Sequence, residues 1–173
     1  MGEGGVPWGE VVKVGLEVAK LLDSNTVVNT AQEVGAMPAG HSSFDGFTGW
    51  DGSPRQGSSI RLYASGDGWN LGGHEVGSCD FTMGVTFRAG GRLDGQGRFI
   101  KNANAYCSVV NIPLGHSYTI DAHWRDATLL DSGVAQLYCD FVVKHERLTL
   151  DWGSHTYRIF IQGDGASWHE TVS

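Results

Sequence analysis

From residue 59 onward the chain keeps a period of two, and that alternation limits the folds open to it. Ile60, Leu62 and Ala64 alternate with Arg61 and Tyr63, and Phe81, Met83, Val85 and Phe87 alternate with Thr82, Gly84, Thr86 and Arg88. Apolar residues on every second position put one face of a strand on a core and the other toward water, the mark of half-buried antiparallel sheet. The same reading predicts strands over 98–101, 105–112, 118–125, 135–143, 147–152 and 156–162. Turn residues separate them at Asp67-Gly68, Gly90-Gly91, Asp94-Gly95, Ser132-Gly133, Gly153-Ser154 and Gly163-Asp164-Gly165. Strands this short, with no helix between them, form hairpins and meanders rather than βαβ units. The expectation is an all-β domain, a β-sandwich or β-barrel of about seven or eight antiparallel strands. Its 26 glycines, about twice the usual share of roughly 7%, agree with many turns.

Two segments depart from that period. Over residues 7–24, PWGEVVKVGLEVAKLLD and the next residue, the spacing predicts an N-terminal amphipathic helix. Pro7 suits a first turn, Glu10, Lys13, Glu17 and Lys20 fall on one narrow arc, and apolar residues fill the rest. Residues 35–58 show neither a helical period nor sustained alternation and are expected to form a long loop, of the kind that tends to be functional. The β core is placed at 59–163, within a single domain of 173 residues.

Charge and cysteine usage narrow the function classes. The net charge is −7, with ten acids and four bases in residues 1–86 (−6) and nine acids and eight bases in residues 87–173 (−1). No basic stripe exists to neutralise a phosphate backbone, so no nucleic-acid partner is expected. The absence of a basic n-region before the apolar stretch predicts no signal peptide, leaving a cytosolic chain or a secreted one whose leader has been removed. Cys79, Cys107 and Cys139 have no metal or redox spacing, and buried free thiols are expected over a Cys79 to Cys107 disulfide.

The seven histidines are scattered, with no HxH and no HExxH, so no metal or other cofactor is expected. Ser42, Ser58 and Ser117 do not sit in a GxSxG turn, and the glycine clusters lack the strand-then-helix context of a phosphate loop. Asp121, His123 and Arg125 alternate along one predicted strand. Lining a barrel interior, they would supply an acid, a base and an anion clamp; facing solvent, they are an ordinary charged strand face. Phe44, Asp45, Phe47, Trp50 and Asp51, with Trp69 and Asn70 in a second loop, interleave aromatics with hydrogen-bonding groups as a glycan site does. The same rings can fold inward under the loop. Asp45, Asp51 and Asp67 lack the spacing of a calcium loop.

An amphipathic N-terminal helix followed by an aromatic-rich β-domain resembles, in its order of elements, the actinoporin type of cytolysin. It is similar also to small β-barrel cyclases whose terminal helix closes over an apolar pocket. These likenesses imply a helix that inserts into lipid or one that gates a pocket. The acidic first half opposes an anionic membrane, and the segment is short for a bilayer span. The favoured expectation is therefore a non-catalytic protein binding a glycan or other small ligand through its aromatic and Asp-rich loops, with the helix packed on the sheet. A membrane-active protein and a cofactor-free barrel enzyme with a helical lid are the alternatives. The apolar arc would also suit a homo-oligomer.

Overall fold

The computed structural model describes residues 9–64, 79–147 and 150–173, and among them the fold is all-β, sandwich-like, with no helix. The first sheet begins with β1 (Val11–Val14) beside β4 (Val34–Pro38), followed by β8 (Gln96–Asn111) and β7 (Cys79–Leu93). The far edge of β7 is shared by β5 (Phe47–Thr48) and β6 (Arg55–Ala64). The second sheet runs β13 (Ser167–Thr171), β12 (Leu150–Gln162), β11 (Ala135–Arg147), β9 (His116–Trp124), β2 (Val18–Asp23) and β3 (Thr26–Val27), with β10 (Thr128–Leu129) on β11. Every strand pairing in both sheets is antiparallel.

The alternation read from the sequence sets the core. Phe81, Met83, Val85 and Phe87 face inward from the first sheet, and Ile120, Ala122, Leu137, Cys139, Phe141, Ile159 and Ile161 face them from the second. One continuous apolar cluster therefore joins the sheets. The β7–β8 hairpin turns at Asp94-Gly95, where both residues take positive φ (52° and 74°), the geometry that matches strand twist in a two-residue turn. All three cysteines are buried and unpaired. Burial pushes the Cys107 thiol up to about 12 and raises that of Cys139 well above its usual range, so neither is a thiolate at neutral pH.

Among the described residues the expected N-terminal helix is absent. Residues 11–14 and 18–23 are strands of different sheets, and the chain passes between the sheets at Gly15. Gly15 has φ +104°, and a Cβ there would stand 2.5 Å from the Glu33 carbonyl oxygen. Val11, Leu21 and Leu22 are buried while Leu16 and Val18 are half exposed, so the apolar residues do not share one helical face. The valines also favour extended backbone, because β-branched side chains pack well on a pleated sheet.

The long-loop expectation also needs correction. Val34–Pro38 is a fully buried strand and Arg55 already belongs to β6, so the irregular stretch is 39–54, broken by β5. The strands expected at 98–101 and 105–112 are one strand, β8, with Asn102 at φ 50° marking its irregularity. Gly153-Ser154 likewise lies inside β12 rather than in a turn.

Candidate functional site

The loop residues expected to hold a ligand pack on one another. Phe44, Phe47 and Trp50 form a ring cluster with centroids 5.3–6.1 Å apart, and Phe47 continues it into the core through Phe99 at 5.4 Å. Lys101 lies 4.6 Å from the Trp50 ring centre, and the indole packs on Gly91, where a Cβ would collide with it. Asp51 accepts two hydrogen bonds from Arg55, each 2.7 Å, and one from the Ala89 N–H, while its carbonyl accepts from Arg88. The Arg55 bonds hold the Asp51 carboxyl below its ordinary range against the opposing effect of burial. The rings and Asp51 thus staple this loop to β7. Asp45 takes part locally, its N–H donating to the Ser43 hydroxyl. Trp69 and Asn70 lie outside the described residues.

Asp121, His123 and Arg125 project from the outer face of the second sheet, because Ile120, Ala122 and Trp124 take the inner one. Asp121 pairs with Lys20 at 3.8 Å, and Arg125 donates Nε to Asp140 at 3.1 Å. Strand register places three rows side by side on this face. The first is Trp168, Phe160, Tyr138 and Arg125; the second is Glu170, Arg158, Asp140 and His123; the third includes Asp121 and Lys20.

The first row is a shelf of rings. Trp168 and Phe160 stack at 4.9 Å with 13° between planes, and Phe160 meets Tyr138 at 5.4 Å. Trp168 is 39% exposed, and Arg158 lies 4.3 Å from the Tyr138 ring centre. Beside it, Asp140 is 3% exposed and accepts from Arg158 at 2.7 and 3.1 Å as well as from Arg125. Burial alone would raise its carboxyl, but the two arginines outweigh that and hold it below the ordinary carboxylate range.

Hydrolytic chemistry has little support in the described residues. The Ser58 hydroxyl lies 2.6 Å from His169 Nδ1, yet no carboxylate bonds His169 among the described residues, and the Ser58 N–H is taken by the Ser167 hydroxyl. A nucleophile of this kind needs its base oriented by a third group and an open N–H for the developing oxyanion. Among the described residues, no three His, Cys, Asp or Glu side chains converge as metal ligands.

Local sequence does not bring the three rings of the shelf together, because they come from three strands whose register it does not state. A local signal existed: Phe160 is a large ring on the outward position between two inward isoleucines, Ile159 and Ile161. Fold and face together define an antiparallel, sandwich-like β-protein with an aromatic and charged outer surface. No family model, no curated protein and no solved structure matches the chain.

Proposed function

We propose that this is a non-catalytic binding protein that lays a glycan, or another small ligand with apolar ring faces, across Trp168, Phe160 and Tyr138. The observation that carries the reading is the ring shelf bordered by Arg158, Asp140 and Arg125. Sugars offer apolar C–H faces to aromatic rings and hydroxyls to fixed polar groups, and this face supplies both side by side. The row from Trp168 to Arg125 crosses three strand spacings, about 14 Å, enough for a short chain of linked rings. The expected loop site becomes secondary, since Phe47 is buried and Phe44 and Trp50 pack against the core, whereas Trp168 is exposed.

A glycan array of neutral and acidic oligosaccharides, followed by calorimetry, tests this. Trp168→Ala on the edge strand should weaken binding at least about tenfold, as loss of an aromatic anchor does. Binding that survives this substitution unchanged would move the site elsewhere.

A further inference from the structure

Beyond the ring shelf, Arg125 also lines a cleft of about 340 Å³ between β9 and the chain crossing from β1 to β2. Val18 and Trp124 form its walls. Lys13 reaches it from inside: two residues after buried Val11 on the same strand face, its stem packs at the sandwich edge, leaving the side chain 8% exposed. Its ammonium makes no hydrogen bond among the described residues, and its one ion pair there is to Glu17 at 4.0 Å. Glu17 is itself 84% exposed, so water screens that pair strongly. An ammonium carries three donors, and this one opens on the cleft rather than being sealed in the core. His123 borders the same space, and Asp126 stands exposed at it, so the cleft is mixed in charge, with Lys13 far more buried than Glu17 or Arg125.

We propose that this cleft receives an oxyanion, a carboxylate or sulfate ester, carried by an acidic saccharide whose neutral rings lie on the shelf. The inference rests on the shelf reading, since Arg125 ends the ring row and lines the cleft. An incoming oxyanion gives Lys13 hydrogen bonds that no described side chain supplies and displaces the screened contact with Glu17, while Trp124, whose indole N–H is already donated to Gln32, serves as wall.

The test is calorimetry on the full chain with three probes: a neutral glucose oligosaccharide, its uronate counterpart and its sulfate ester. At least one charged probe should bind about tenfold more tightly than the neutral one, the scale of one charge-assisted contact. Lys13→Met, which keeps an apolar stem of similar reach, should erase that preference and leave neutral binding unchanged. Glu17→Gln, at an exposed position, should strengthen the charged probe a few-fold. Equal binding of charged and neutral probes, or a preference that survives Lys13→Met, overturns the cleft assignment. In either case a loss of neutral binding in Trp168→Ala keeps the shelf reading intact. If no probe binds, the shelf reading falls and the cleft inference with it.

Discussion

Asp140 is the residue on which the outer face depends. Its carboxylate is almost fully buried, and three hydrogen bonds from Arg158 and Arg125 compensate its desolvation. Asp140→Asn keeps the shape but leaves two guanidinium groups facing a neutral amide. A loss of about 2 kcal/mol is expected, below the cost at a fully buried pair because both arginines keep some contact with water. For a chain of this length that lowers Tm by about 4–8 °C in a thermal melt. The pH dependence has a definite sign. Because the folded carboxyl titrates below its ordinary value of 3.8, its stabilisation is complete above about pH 5 and is lost as pH falls through the folded value. Wild type should therefore lose stability more steeply than Asp140→Asn as pH falls below about 4, with the two curves converging at the acid end. A constant gap between them would show that Asp140 does not titrate with folding. Nothing in the local sequence YCDFV announces this role, since the partners lie 15 and 18 residues away and meet Asp140 only through strand pairing.

At the scale of elements, Gly15 distinguishes the helix the N-terminal pattern suggests from the strands it forms. In a helix, Gly15→Ala would stabilise by about 1 kcal/mol. In the observed crossing, the new methyl meets the Glu33 carbonyl and the backbone sits at φ +104°, so the same change should destabilise by about 2 kcal/mol or more. Far-UV circular dichroism should show no gain of helix, and urea unfolding should shift to a lower midpoint; a raised midpoint would contradict the crossing. The misreading has a physical origin. VVKVGLEVAKLL satisfies a 3.6-residue period about as well as it satisfies two short strands, and what decides is partners far along the chain, Gly35 to Pro38 for β1 and Ala122 for β2. The inserting helix of the membrane reading and the helical lid of the gated-barrel reading both rest on that segment, which forms strands. The β7–β8 hairpin was legible because its turn chemistry and its alternation are both local. The buried β4 was not, since VGAMP lies wholly inside and has no polar face to alternate with.

For the whole molecule, the question is what makes two sheets one unit. After β2 and β3, residues 28–33 return the chain to the first sheet, and two amides pin this segment. Asn29 exchanges hydrogen bonds with the Cys107 backbone at 2.7 and 2.9 Å. Gln32, 1% exposed, receives the Trp124 indole N–H from the second sheet at 2.8 Å and donates to the Ala105 carbonyl of the first at 3.3 Å, while Asn104 accepts its backbone N–H. One buried amide therefore ties β9 to β8 across the apolar core. Trp124→Phe removes the donor and leaves the Gln32 oxygen buried without it, which should cost about 1–3 kcal/mol, plus a smaller loss from the reduced ring. Because the core is continuous across both sheets, that loss should appear as one cooperative shift. Far-UV and near-UV circular dichroism should give the same lowered midpoint in urea, with an unchanged m-value. Separate transitions in the variant would mean that the Gln32 tie, rather than the shared core, had been making the sheets unfold together.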